Sequence, residues 1–481
     1  MVKKINKKNK KYKSKRNKYM SKLNRLKQQI SQNITNEQIL STCNKSMKYK
    51  DIFPKQKRVI AIGDIHGDLQ ALMVLLDEVS KVVKFDCNIR DLKNISHVDD
   101  IPFKWTGKDT FVVIVGDIID RKRTDAIMEN GKLVGEIDNE EMIIIDLLNK
   151  ISLTAFTHGG RLIKLLGNHE IMNLYGDFRY VSDNTMKETN FDRRTTYGPG
   201  GRISKKIIGC GTLGIVKIGS WIFVHGGLLP AIVKNVKNHG VKNFIKTANK
   251  LARKMFLNTV SNNEQKLVNI YYNKDEMICK NHINDINDKN EINLYTKSVP
   301  ITLERRLSIH NFAGVKVSIP CVCIALKKAF KLLGYNENCS IVVAHSAQLE
   351  RGLIVNKDPD YNPHGYVYPD IIKEDKTSYT YGGTPIKKEG IHLHGLNFEC
   401  PNNNNSGQII RIDNAVGRGF DSNTIAKNQP KKTLEAILRA RRPSCFEILN
   451  GKETRILVAK KGLERKWALD MGINDYGPII T

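Results

Sequence analysis

The chain has 481 residues, enough to bury one large core or two ordinary ones, and its 78 Lys and Arg against 49 Asp and Glu give a formal net charge of +29. No window approaches the roughly 18 apolar residues that cross a bilayer, and the N-terminus MVKKINKKNKKYKSKRNKYM lacks the apolar centre of a secretory signal, so we expect a soluble protein with no membrane span. The nine cysteines are scattered from Cys43 to Cys445, and the close pair Cys321 and Cys323 has neither zinc-ribbon nor thioredoxin spacing, which points to an intracellular, reducing compartment such as the cytoplasm.

The charge is uneven. Residues 1–28 hold 13 Lys or Arg and no acid, which leaves an excess of 16 over the rest of a chain rich in Lys, Asn and Ile. We take residues 1–50 as a basic tail, disordered except for a short helix around Asn36 to Cys43, because self-repelling charge with few apolar anchors does not pay for order. It reads either as an arm for an anionic partner, nucleic acid included, or as a solvated extension.

A single domain is expected over 51–470, followed by a C-terminal extension, 471–481. Arg58 to Ile62 reads as a buried strand, and Asp68 to Val79, DLQALMVLLDEV, repeats apolar residues at helical spacing. A polar insertion at about 84–108 precedes a second buried strand, Phe111 to Val115, which ends in Gly116-Asp117. A helix over Glu140 to Ile151 leads to a third strand, Arg161 to Leu166, ending in Gly167-Asn168-His169-Glu170. This alternation argues an α/β fold with function at the carboxyl ends of its strands. Ile215 to Ile218 and Trp221 to Val224 form a strand pair turning at Gly219-Ser220, and the second strand ends in His225-Gly226-Gly227. A second polar insertion spans 261–299. Ser340 to Val343 ends in Ala344-His345-Ser346. Gln408 to Ile412, Phe446 to Leu449 and Arg455 to Ala459 complete the strands, and Pro401 to Gly407 reads as a turn or loop.

Five strands therefore end in side chains able to hold a metal: Asp64 with His66, then Asp117, Asn168, His225 and His345. Carboxylate, amide oxygen and imidazole together suit divalent ions such as Mn, Fe or Zn, and such a set can hold two ions if a carboxylate bridges them. A lone Asp or His at a strand end is ordinarily a turn residue. Here four of the 12 histidines, His66, His169, His225 and His345, fall in strand-end loops beside Gly, Asn or another small residue. The pair His392 and His394 is explained by alternate positions on one strand face.

GDIHG (63–67), GDIIDR (116–121), GNHE (167–170) and VHGG (224–227), in that order, resemble the signature of the calcineurin-like metallophosphoesterases, and more narrowly the phosphoprotein phosphatases. GGRLIKLLGNHEIMNLYGDFRYVS (159–182), YGPGG (197–201) and IDNAVGRGF (412–420) are similar to the Shewanella-like protein phosphatases. The resemblance covers roughly residues 57–458. It implies a four-layer sandwich of two mixed β-sheets flanked by helices, and a dinuclear phosphatase in which a metal-bridging hydroxide attacks phosphomonoesters, of Ser/Thr type, on a phosphorylated protein. In that scheme Asp64 and His66 bind the first ion, Asp117 bridges, and Asn168, His225 and His345 bind the second. His169 is the general acid, Asp120 orients it, and Arg121 binds phosphate oxygens. A second phosphate-binding arginine is sought among Arg179, Arg194 and Arg202, with Arg202 favoured for its place beside Gly200-Gly201.

The chain departs from the family in having Lys122 where Gly is usual, Ala344-His345-Ser346 where Gly-His-Thr is usual, and no SAPNYC stretch. None of these removes a ligand. Two other readings are a phosphohydrolase of nucleotides or nucleic-acid phosphates recruited by the basic tail, and an inactive phosphatase-like binding protein, which would show a broken ligand set.

Overall fold

A computed structural model of the chain describes residues 35–46, 50–92, 95–121, 140–182, 185–186, 192–272, 300–302, 319–335, 339–345, 408–413, 416 and 442–463, together with short strand pairs at 128–133, 311–316 and 378–387 and strands at 391–392 and 395–399. The N-terminal basic segment to residue 34, Lys122, residues 273–299, Ser346, His394, residues 401–407 and the 471–481 extension lie outside the described residues.

Two mixed sheets make the frame. In the first, six strands run in the order β15 (Glu453–Val458), β14 (Ser444–Leu449), β2 (Arg58–Ile62), β5 (Phe111–Ile114), β6 (Arg161–Leu165) and β7 (Thr212–Leu213). The last four are mutually parallel, and β14 and β15 are antiparallel additions at one edge. The second sheet has seven strands in the order β1 (Ile52–Phe53), β8 (Ile215–Ile218), β9 (Trp221–Val224), β10 (Ser340–Val343), β13 (Gln408–Arg411), β12 (Gly395–Glu399) and β11 (Ile391–His392). The helices used below are α1 (Asn36–Ser46), α2 (Leu69–Val74), α3 (Glu140–Thr157), α4 (Asn168–Leu174), α5 (Arg193–Tyr197) and α6 (Arg202–Ile207).

Alternation along the strands explains why they read as unbroken apolar runs. Val59 and Ala61 of β2 point between the sheets, against a layer that includes Val113, Phe223, Val342 and Phe446. Ile60 and Ile62 point to the opposite face, where Leu72, Ile144 and Leu148 of α2 and α3 cover them. Each face of a strand flanked by layers on both sides must be apolar, so period-two polarity vanishes. The result is the α/β sandwich of two mixed sheets flanked by helices.

Three local expectations change. The polar stretch 84–108 is not a surface insertion: β3 (Val83–Phe85) pairs antiparallel with β4 (Phe103–Trp105), and Ile89, Leu92, Ile95, Val98 and Ile101 are buried in the main core. Single apolar anchors at every third residue of a polar stretch are enough to pin it. The 68–79 helix is α-helical only to Val74, and Leu75–Val79 continues as a π-turn. Finally, α1 packs Ile39 and Cys43 on Leu153 and Phe156 of α3, and a disulfide joins Cys43 to Cys210. The compact unit thus reaches back to Thr35. The pair is separated by 167 residues, so no spacing rule could have found it, and scattered cysteines alone were no sign of free thiols.

Candidate active site

Strand register assembles the site. Because β2, β5 and β6 are parallel neighbours, with Ile62 beside Ile114 and Ile114 beside Lys164, the loops carrying Asp64, Asp117 and Asn168 emerge side by side. In the facing sheet β9 and β10 are parallel neighbours, which places His225 next to His345. The amides of Ile65 and His66 donate to the Asp117 carbonyl at 3.0 and 2.9 Å, and Ala344 N–H donates to the His225 carbonyl at 2.8 Å. Two contacts close the sheets over each other: His225 Nδ1 lies 2.6 Å from the Val115 carbonyl, and His345 N lies 3.4 Å from Asp64 Oδ1.

The loops are held in costly conformations. His66, Asp117, Asp120 and His345 have φ of 49°, 48°, 65° and 71°, in the left-handed region that costs a non-glycine residue about 1–3 kcal/mol. Strain of this kind persists where surrounding contacts over-determine the backbone. Two glycines permit the approach: a Cβ on Gly116 would lie 2.6 Å from His225 Nδ1, and one on Gly167 would lie 2.1 Å from Asp117 Oδ1.

All six residues expected to hold metal converge. One donor atom each from His66, Asp117 and His169 lie within 4.8 Å of one another, as do donors from Asp117, His225 and His345. Asp64 Oδ2 is 3.6 Å from His66 Nε2, and Asp64 Oδ1 is 3.7 Å from His225. The Val115 carbonyl takes the His225 Nδ1 proton, so Nε2 faces the centre, 3.2 Å from both Asn168 Oδ1 and Asp117 Oδ2. Asn168 turns its other amide atom to Met172 Sδ, at 3.6 Å, which fixes which end faces in. His169 also reaches the centre, with Nε2 3.7 Å from Asp117 Oδ2, while its Nδ1 lies 2.9 Å from Asp120 Oδ2.

The electrostatics are those of a site short of positive charge. Burial and the neighbouring Asp413 and Asp117 carboxylates push Asp64 well above the usual carboxylate range. Asp117, against the opposing effect of burial, is pulled down by His225, His169 and His66. His225 is raised, burial again opposing, by Asp117. Among the described residues no Lys or Arg is paired with Asp64 or Asp117, and the buried Asp64 Oδ2 accepts no hydrogen bond. Oxygen and imidazole donors, an unused buried carboxylate oxygen and crowded acids fit divalent cations.

The arginines offered as phosphate ligands differ in their surroundings. Arg121 is 2% exposed, and its guanidinium is engaged by Glu140, with Asp68 Oδ2 3.8 Å away. A phosphate oxygen reaching it must share it with Glu140. Arg202 is exposed in the first turn of α6, and Gly201 before it packs on backbone that leaves no room for a Cβ, against the Thr196 carbonyl. Arg179 is exposed and bound to Asp177, but it neighbours Tyr180, whose ring packs 5.0 Å from that of His169.

Four buried residues missed in the sequence complete the surroundings. Glu170 accepts the amides of Gly167, Asp117, Ile118 and Ile119 at 2.7 to 3.3 Å, so one carboxylate ties two strand-end loops together. Its signal was its place in GNHE. Asn173, one turn beyond His169 on α4, donates to Asp120 Oδ2 at 2.7 Å, and helical spacing could have found it. Glu141 accepts the Asp120 amide at 2.9 Å, and Arg193 contacts Asp120, Glu141 and Asn173. Neither carries a readable signal.

Comparison with known proteins agrees with this geometry. Residues 57–293 match the family described as calcineurin-like phosphoesterase. The chain is 35% identical over 136 residues to Shewanella-like protein phosphatase 2 of Arabidopsis thaliana, covering 28% of this chain and 26% of that protein. It is 30% identical over 176 residues to Shewanella-like protein phosphatase 1 of Plasmodium berghei, covering 36% and 39%. The chain thus spans less than half the length of these two relatives. A solved structure of a cold-active protein-tyrosine phosphatase of a psychrophilic Shewanella species aligns over 85% of this chain and 82% of that one, with 17% identity and a TM-score of 0.42, too loose a likeness to bear on substrate. His345 lies beyond the matched residues, and the tertiary structure alone joins it to them.

Proposed function

We propose that this chain, whose residues 57–293 match the calcineurin-like phosphoesterase family, hydrolyses phosphomonoesters on phosphoproteins, of Ser/Thr type, with two divalent ions that Asp117 and the residues around it would hold. One observation carries the reading: the two clusters of candidate ligands share Asp117 and no other residue. Asp64 and His66 would hold one ion, Asn168, His225 and His345 the other, with Asp117 common to both. Such a pair of ions, when bound, supplies an activated water and neutralises charge on the phosphate. Relatives named as protein phosphatases support a protein substrate.

His169 is the general acid in this reading. With Nδ1 taken by Asp120, its Nε2 is free to give a proton to the oxygen of the departing serine or threonine. Arg121 and Arg202 would bind phosphate oxygens, Arg121 by exchanging Glu140 for the substrate; Arg179, beside the tyrosine that packs on His169, is a further choice for the second position. The basic segment 1–28 supports one other substrate class, oligonucleotide phosphates.

The test is metal content and turnover of the full chain. We expect two equivalents of Mn, Fe or Zn per chain and metal-stimulated release of phosphate from a phosphoserine peptide. Proper folding without stimulation by any divalent ion would defeat the reading. Oligonucleotide turnover that falls when residues 1–34 are removed, with no peptide turnover, would transfer it to nucleic-acid phosphates.

A further inference from the structure

Arg193 is a buried charged side chain, 2% exposed, close to the His169–Asp120 pair. Its neighbour Arg194 and the exposed Arg202 drew notice in the sequence as phosphate ligands; Arg193 did not. Residue Asp192 caps α5 by accepting the amides of Arg194 and Thr195, which turns Arg193 inward, where its guanidinium lies over the Tyr197 ring at 3.9 Å. From there the planar group makes three hydrogen bonds: Nε donates to Asn173 Oδ1 at 2.8 Å, and Nη2 donates to Asp120 Oδ1 at 3.2 Å and to Glu141 Oε2 at 3.0 Å.

We propose that Arg193 is a positioning residue for the proton-transfer step, a conclusion that rests on His169 being the acid. Its fork holds Asp120 in one orientation and fixes which way the Asn173 amide faces. By occupying Asp120 Oδ1 it leaves Oδ2 to accept from His169 Nδ1 and Asn173 Nδ2, at 2.9 and 2.7 Å. By binding Asn173 Oδ1 it forces Nδ2 toward Asp120; a flipped amide would set NH2 against the guanidinium. Asn173 Nδ2 also donates to the His169 carbonyl at 3.0 Å, so backbone and side chain of the acid are anchored to the same group. Glu141 closes the ring, taking the Asp120 amide and the Tyr197 hydroxyl. Asp120 is fully buried with Glu141 close by, and Arg193 sets a positive charge within hydrogen-bond distance of both carboxylates.

In the step concerned, the bond from phosphorus to the serine oxygen breaks as a bond from phosphorus to the water oxygen forms. The proton on His169 Nε2 passes to the serine oxygen. A nitrophenolate leaves without that proton. Arg193→Ala should therefore lower kcat for a phosphoserine peptide by about a hundredfold while lowering it for p-nitrophenyl phosphate by less than about threefold, with KM for both little changed. Asp120→Asn should produce the same split, and the double variant Asp120→Asn with Arg193→Ala should lose no more than Asp120→Asn alone, because the two act through one hydrogen bond.

Arg193→Lys keeps the charge that Asp120 and Glu141 face but cannot make three bonds in one plane, so it is read even where the alanine variant does not fold. It should show a smaller loss with the same dependence on leaving group. Equal losses on both esters in the lysine variant, or additive losses in the double variant, would overturn the proposal. If Asp120→Asn shows no split while the wild type turns over both esters, the assignment of His169 fails first and this inference with it.

Discussion

Two halves of the same cleft manage buried charge in opposite ways. Around Asp64, Asp117 and Asp413, carboxylates and imidazoles face one another with no lysine or arginine paired to Asp64 or Asp117 among the described residues. Around Asp120, a few ångströms away, two carboxylates are met by Arg193, Asn173 and His169 at hydrogen-bond distance. The second half carries its own cation. The first is built to receive one. Burying like charges together is tolerable only where they are compensated, so the missing compensation is itself a property of the site. Lys164 makes a third case behind the cleft: it is buried with Asn149 Oδ1 at 2.5 Å and the Gly209 carbonyl at 3.2 Å, and burial, with Asp146 opposing, lowers it to about 7.

The contrast can be broken most severely at Asp117. Asp117→Ala removes the residue common to both ligand clusters, and we expect metal content to fall below one ion per chain and turnover to drop by at least about a thousandfold, as for other members of interdependent catalytic sets. Retention of two ions would show that Asp117 is not shared.

His169 sits on the border between the halves, and its variant assigns it to one of them. His169→Asn should keep both ions, measured by elemental analysis, and lose about a hundredfold on the phosphoserine peptide but little on p-nitrophenyl phosphate. Loss of an ion would make it a ligand.

Chelation probes the receiving half alone. Removing divalent ions should lower stability by about 2.7 kcal/mol for each ion that is normally present at a hundred times its dissociation constant, seen as a lower thermal midpoint restored by Mn. An unchanged midpoint would mean that the crowded carboxylates need no cation to fold.

The smallest effect belongs to Lys164. Its folded value of about 7 lies below the ordinary 10.5, so between these values the unfolded chain binds the extra proton and stability rises with pH. The slope should approach about 1.4 kcal/mol per pH unit between about pH 7 and about pH 9, and vanish below pH 7, where both states are protonated. The denaturation midpoint of wild type should climb over this window relative to Lys164→Met. Parallel curves would refute a neutral buried amine.

Some of this was readable in the chain itself. Each candidate ligand follows a short apolar run, because a parallel strand must end in a tight loop to present a side chain at its carboxyl end; Asp64, Asp117, Asn168 and His225 sit beside a glycine there, and His345 sits between the small residues Ala344 and Ser346. Asn173 was within reach, four residues beyond His169. The apolar anchors between Ile89 and Ile101 recur every third residue, a spacing that matches neither a strand's period of two nor an α-helix's 3.6, and Cys43 and Cys210 have no local relation at all.

Local chemistry, repeated at five strand ends, was enough to determine that this protein is an α/β fold presenting candidate metal-binding side chains, since backbone geometry confines each of those choices to a few neighbouring residues; the two-sheet sandwich was implied by the resemblance of its motifs. Which cations balance which acids was decided only by the tertiary structure. Arg193 faces Asp120 from 73 positions away, and Arg121 turns to Glu140. Electrostatic partners are chosen by distance in space and by burial, and neither is written in the spacing of residues along the chain.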